Sequence, residues 1–327
     1  MDKSDKIISE DVEKLEKMAF IDVNGAKISI ELLESQKYKN VEAIPIKSDE
    51  FGKKDFLTLK KGYEMHLVEI KELEHSTVNT VLCKNDAVVP LLLIDSDEIT
   101  GAMQNRIIND TLLVPAQSTL KIPVSCTEHG RWHYKGNGNE SKSFKPSLYH
   151  ASHSVRNRKM RANYEERNYQ GDVWDSISNL EERAEFRSVT SSLNDNYEHS
   201  KEKQNDYLKN FEIVDGQNGI IFIVNGEFKG LELFYNPSIY KEYHEKLCRS
   251  YIIEAIIDKK SEESIERLDL MRILEDISNS EFKSSKSIGL GDNIKFANKD
   301  GSGSGLLYDD ELIHLSFLKE LDIEIII

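Results

Sequence analysis

The sequence predicts an α+β protein: an antiparallel, β-rich, sandwich-like N-terminal half, then a C-terminal half of hairpins and helices. Three observations carry this. Between residues 40 and 127, short apolar runs recur about every ten residues with turn signals between them, the spacing of an antiparallel sandwich or barrel. That stretch lacks the strand–helix alternation of a doubly wound fold. Beyond residue 155, apolar residues fall at helical spacing, interrupted by a hairpin.

Taken in order, residues 1–35 read as an appendage. Ser9-Glu10-Asp11-Val12-Glu13 opens a short helix, and Phe20–Val23 and Ala26–Ile30 flank Asn24-Gly25. Asn-Gly favours a type I′ hairpin turn, which needs positive φ at both central residues. An isolated hairpin is marginally stable, so this one should pack on the body or on a partner protein. Residues 36–327 read as one domain. Val41–Ile46 is a strand, and Pro45 suggests that it lies at an edge. Leu57–Tyr63 reads as one or two helical turns. Strands follow at Met65–Ile70, Thr77–Cys83, Val88–Ile94, Ile107–Val114 and Leu120–Ser125. Residues 128–160, rich in Ser, Asn and Gly, read as a long loop.

Helices are expected at Val155–Glu166, Asp172–Arg187 and Tyr197–Phe211. A second Asn-Gly hairpin, Gly219–Phe234, turns at Asn225-Gly226. Pro237 takes the first-turn position of a helix to about Ile257. Ser264–Ile277 is a further helix. Ile294–Phe296, Leu306–Tyr308 and Leu312–Phe317 read as short strands, with Gly301–Gly305 a flexible loop.

Composition bounds the function. The 327 residues carry a net charge of −15, and the apolar runs are far too short to cross a bilayer. The first twenty residues are charged and hold no signal-peptide core. Three widely separated cysteines exclude a disulfide framework, and together these features point to a reducing, cytoplasmic setting. The acidic total argues against extended nucleic-acid binding, leaving room only for a single-stranded end. Yet the average conceals a window, residues 121–161, with nine Lys/Arg against two acids, a local +7 in a remainder of −22. Four of the nine histidines also fall there: His129, His133, His150 and His153. Such a window suits a small anionic ligand, since arginine forks match phosphate. The competing reading is a set of structural ion pairs.

Inside the window, Cys126-Thr-Glu128-His129-Gly130-Arg131-Trp132-His133 follows a strand. Glu128 suits either a general base or a partner that holds Arg131 in place. Cys126 is either a nucleophile beside a histidine or a small buried hydrophobe. His129 and His133 do not match the helical H-E-x-x-H spacing, and no metal is assigned. Upstream, Gln104-Asn105-Arg106 lies between two strand-like runs. Its side chains either fix a polar, phosphate-bearing ligand or cap a turn. Trp174 either stacks on a base or seals a core. No P-loop, G-x-G-x-x-G, paired C-x-x-C or G-x-S-x-G motif is present, so the residues name no cofactor.

Gly101-Ala-Met-Gln-Asn-Arg106, Ile122–Trp132 and Val173-Trp174 resemble the ARPP-1 domain family, associated with ADP-ribosylglycohydrolases and with the rhodanese-phosphatase superfamily. The similarity extends over about residues 40–318, including Gly219–Phe234 and the Leu247–Ala255 helix. The resemblance implies a link to NAD or ADP-ribose derivatives and names no reaction. The combined expectation is a protein that binds a nucleotide-like anion, with hydrolysis left open. Arg106 and Arg131 would meet phosphate, Glu128 would be base or orienting carboxylate, Gln104 and Asn105 would hold polar groups, and Trp132 would stack. The alternative is a non-enzymatic interaction or regulatory subunit, for example of a bacterial defence system, docking through residues 1–35.

Overall fold

The computed structural model describes residues 18–48, 54–134, 139–258 and 267–321. The helix expected at residues 9–13 lies outside them. A ten-stranded antiparallel sheet runs in the order β1 (Met18–Val23), β2 (Ala26–Leu32), β4 (Val41–Ser48), β14 (Gly219–Val224), β15 (Glu227–Phe234), β19 (Glu311–Lys319), β18 (Gly301–Tyr308), β17 (Asp292–Ala297) and β16 (Glu281–Lys286). The short β3 (Gln36–Tyr38) also pairs with β4.

Both Asn-Gly turns have the expected backbone. Asn24 and Gly25 sit at φ of 53° and 93°, and Asn225 and Gly226 at 55° and 75°. The first hairpin is continuous with the sheet: β2 pairs with β4 from Ile30↔Ser48 to Leu32↔Ile46. It therefore packs on the body.

Two sequence expectations fail here for identifiable reasons. Pro45 lies in a central strand rather than an edge, opposite Ile220. Its carbonyl, which accepts from the Leu33 amide at 3.0 Å, faces the connection between β2 and β3. That is where the neighbouring chain leaves the ladder, so no strand needs the missing proline donor. Gly301–Gly305 is part of strand β18 rather than a loop. A Cβ at Gly303 would stand 2.1 Å from the Phe296 ring, so this glycine lets an aromatic side chain lie flat on the strand.

Each face of the sheet has its own core. On one, Ile21, Ile30, Ile221, Leu231 and Phe317 meet Leu270, Leu274 and Ile277 of α7 (Arg267–Ser278). On the other, Phe222 and Phe234 meet Tyr240, Leu247 and Tyr251 of α6 (Pro237–Ala255). Every residue of β14 is buried, as expected of a strand covered on both sides.

Of the sandwich and barrel that the strand spacing allows, the structure holds a closed barrel. It is made of β10 (Arg106–Ile108), β12 (Ser118–Cys126), β7 (Thr80–Asn85), β6 (Val68–Lys71), β13 (Ser143–His150) and β9 (Asp97–Gly101). A three-stranded sheet, β11 (Leu112–Val114), β8 (Leu91–Leu93) and β5 (Leu57–Thr58), lies on the path to it, with α1 (Leu59–Glu64) following β5. The expected loop at 128–160 is shorter: β13 occupies 143–150, and α2 (His153–Tyr164) begins three residues later. Then come α3 (Gln170–Arg183), α4 (Leu193–His199) and α5 (Lys201–Leu208). Ser200 ends α4 and begins α5, dividing the single helix expected there.

Helix α2 is amphipathic in charge rather than hydrophobicity. Arg156 points inward to Glu232 of β15 and donates to the Ser316 hydroxyl at 2.9 Å. Lys159 pairs with Asp95 and donates to the Asn109 carbonyl at 2.9 Å. From α6, Lys246 pairs with Asp97 at 2.6 Å. These cations join the barrel, α2 and the large sheet through a buried polar seam. Burial opposes ionisation of Glu232, but Arg156, His314 and His150 together hold its pKa well below the usual carboxylate range.

Candidate functional site

The motif residues converge. Arg106 opens β10, Cys126 closes β12, and the two stand opposite in the ladder. Beyond Cys126, the Thr127 amide donates to the Asn105 carbonyl at 3.0 Å, which brings Gln104–Arg106 against Glu128–Arg131. Arg131 is 1% exposed, and both terminal nitrogens of its guanidinium are engaged. Nη2 meets the Glu128 carboxylate at 2.6 Å, the Gly101 carbonyl at 3.1 Å and the Asn105 side chain at 3.3 Å. Nη1 donates to the carbonyls of Ala102 at 2.6 Å and His133 at 3.0 Å. Glu128 also accepts from the Asn105 amide at 3.2 Å and the Thr190 hydroxyl at 3.0 Å.

Arg106 is equally buried. It donates to Gln104 at 2.8 Å, contacts the Cys126 sulfur, and stands 3.5 Å from the Glu72 carboxylate. The indole of Trp132 covers it at 5.6 Å, while Trp132 itself is 47% exposed. Gln104 donates to the Glu128 carbonyl at 2.8 Å and accepts from the Cys126 thiol at 2.9 Å. Burial pushes that thiol up to about 11, so it stays protonated at neutral pH. Of the two readings of Cys126, the small buried group is the one its surroundings suit.

The cluster also reaches the helices. Gln170, the first residue of α3, bonds both backbone groups of Cys126. The Gly130 amide donates to the Thr190 carbonyl at 2.8 Å, and a Cβ on Gly130 would lie 2.9 Å from the Thr190 Cα. The motif therefore pins α3 at its start and the chain just past its end. His129 and Trp174, 4.3 Å apart between ring centres, pack together on the outer side. Among the described residues no group of three or more His, Cys, Asp or Glu is placed to hold a metal.

Open space lies elsewhere. A cleft of about 700 Å³ runs between α2, α3, α6 and the β14–β15 hairpin. Asp172, Ser176, Asn179 and Arg183, at helical spacing, form the α3 wall. His153, Tyr251 and Glu254 are buried residues in its lining. Five cations and five acids line it, and four of the cations are spent on acids. Arg161 pairs with Glu165, Arg167 with Asp172, Arg183 with Glu254 and Asp258, and Lys229 with Glu227. Arg158, half-buried on α2, has no acid partner among the described residues.

His153 donates from Nε2 to the Lys229 carbonyl at 2.9 Å, which leaves Nδ1 as an acceptor. Burial lowers its pKa, so the ring is neutral at pH 7. Arg158 and His153 both fall in the basic window, but nothing in their own sequence separates them from Arg156 and Lys159, which turn inward. The outward row of α2 becomes visible only once the helix phase is known.

No helix of the described residues is long and apolar enough to cross a membrane. The family model for the ARG and Rhodanese-Phosphatase-superfamily-associated Protein domain, ARPP-1, matches residues 29–318. No curated protein and no solved structure matches the chain. With a match that begins in β2, ends in β19 and takes in the buried cluster and most of the cleft, the chain belongs to the ARPP-1 family.

Proposed function

We propose that this protein binds a phosphorylated, nucleotide-like ligand of the ADP-ribose kind in the cleft between α2, α3 and α6. The observation that carries the reading is Arg158, a half-buried guanidinium that lines the cleft without an acid partner among the described residues. A partly desolvated cation is costly to leave uncompensated, and a phosphate supplies the bidentate acceptor that its fork suits. The rest of the lining holds four cations against five acids, so it favours a ligand that brings hydroxyls as well as phosphate. Carboxylates and amides of the wall accept from sugar hydroxyls in the usual way. The family's association with ADP-ribosylglycohydrolases is consistent with that chemistry.

On this reading, Arg106, Glu128 and Arg131 are positioning residues. Glu128 holds Arg131, Arg131 ties the Gly101–Asn105 turn to the strand end, and the whole cluster fixes the α3 wall. Calorimetric titration of ADP-ribose at low salt tests the proposal. Arg158→Ala should weaken binding at least tenfold, while Lys121→Ala, on the exposed side of β12, should leave it unchanged. Equal titrations for wild type and Arg158→Ala would sink it.

A further inference from the structure

A second pocket, of about 440 Å³, opens where the barrel end meets the turn between α2 and α3. It differs from the cleft in one decisive respect: none of its lining residues carries a charge. Asn109 lines it while being only 4% exposed. Its backbone amide donates to the Pro123 carbonyl at 3.1 Å, and its backbone carbonyl accepts from Lys159. Its side-chain oxygen accepts from the Ser125 hydroxyl at 2.8 Å. The amide nitrogen of Asn109 has no hydrogen-bond partner among the described residues. It is the unspent polar group of an otherwise satisfied, buried side chain. Tyr169 lines the same pocket, again with no partner for its hydroxyl among the described residues. Val78 and Val124 supply apolar surface.

The pocket also accounts for the family motif better than surface chemistry does. Gln170 lines it and holds Cys126 from the other end of its side chain. The Cys126 thiol in turn lies 3.6 Å from the carbonyl of Val78, another lining residue. The buried Gln104–Arg106–Cys126 cluster thus forms the support beneath this pocket.

We infer that this pocket is a binding site for an uncharged planar heterocycle with a hydrogen-bonding edge, that is, a nucleobase. The chemistry selects that class. A phosphate or carboxylate finds no counter-charge here. The unspent amide nitrogen of Asn109 donates to an acceptor on a base edge, the tyrosine ring and valines offer a face, and the volume falls within the usual range of about 300–1,000 Å³ for small-ligand sites. The inference deepens the nucleotide-like reading but rests on different residues. Arg167 lines the cleft and the adjoining residues 168–170 line this pocket, so the two sites share one turn.

The test uses the full chain and uncharged adenosine, with pyrophosphate as the base-free probe. Adenosine should bind wild type and Arg158→Ala alike, and at least tenfold more weakly to Asn109→Asp, which keeps the acceptor for Ser125 and removes the donor. Should Asn109→Asp fold poorly, photolabelling of the wild type with 8-azidoadenosine gives an independent readout, expected at residues 78–79 or 168–170. Pyrophosphate binding without adenosine binding overturns this inference while leaving the cleft proposal standing. Adenosine labelling confined to other segments overturns it as well. Adenosine binding with pyrophosphate binding absent upholds it while removing the cleft reading.

Discussion

Gln170 holds Cys126 by both of its backbone groups: the Cys126 amide donates to the Gln170 side-chain carbonyl at 2.8 Å, and the Gln170 side-chain nitrogen donates to the Cys126 carbonyl at 3.0 Å. A side chain therefore completes the ladder where β12 ends, and the start of α3 is tied to the barrel by it. Gln170→Leu would leave two backbone groups of Cys126 without protein partners. The expected loss is about 2 kcal/mol, given about 1–3 kcal/mol for each unsatisfied buried group and some access of water at this partly open position. Urea denaturation measures it, and a change within error of zero would show that water replaces the clamp.

Arg131 offers a sharper case. Arg131→Met should cost about 3–5 kcal/mol, because it strands the Glu128 carboxylate and uncaps the carbonyls of Gly101, Ala102 and His133. Adding Glu128→Gln should recover part of that loss, a non-additivity that a double-mutant cycle in denaturant reads directly. Arg131→Lys should rescue little, since an ammonium cannot span the positions that the planar fork reaches. Full rescue by lysine would mean that charge alone matters here.

Two buried groups give opposite pH dependences. Burial raises Glu98 to about 7 even though Asn194, Ser147 and Thr127 donate to it and Lys246 lies within electrostatic reach. Its contribution to stability is fully present below the unfolded value of 4.5 and is lost as pH rises toward 7. Burial, aided by Arg156, lowers His150 to about 4 from 6.5, although Asp97 and Glu232 pull the other way. That contribution is present above 6.5 and is lost as pH falls toward 4. Glu98→Gln should therefore raise the melting temperature relative to wild type more at pH 8 than at pH 4.5. A difference that does not vary between those pH values would place the Glu98 titration elsewhere.

Gly303 tests how the aromatic face is built. Gly303→Ala would drive a methyl into the Phe296 ring, and the expected cost of overpacking is about 1–3 kcal/mol. Pairing it with Phe296→Leu should relieve the clash. Thermal melts of the single and double variants decide the point, and an unchanged melting temperature for Gly303→Ala would show that the ring simply moves aside.

Much of the local structure was legible in the residues. Asn24-Gly25 and Asn225-Gly226 dictate their turns because few other dipeptides accept positive φ twice in succession. Pro237 starts α6 because its fixed φ and missing donor cost nothing there. The Gly301–Gly305 run misleads for the converse reason. Glycine signals that the backbone is free or closely approached, and only the partner strand, bringing Phe296 across it, decides which.

The motif shows the same division. Only the pairing of β10 with β12 brings Gln104 and Arg106 against Glu128 and Arg131; the sequence by itself offered no more than Glu128 as a partner for Arg131. It could not say whether their charges face ligand or one another, because ion pairing depends on depth of burial, and burial is set by α3 and the 188–192 segment folding over the motif from far along the chain. The basic window divides likewise. Composition counted nine cations, but the phase of α2 sends Arg156 and Lys159 into the protein and Arg158 into the cleft, and that phase is fixed by packing against β15, β18 and β19 from the far end of the sequence.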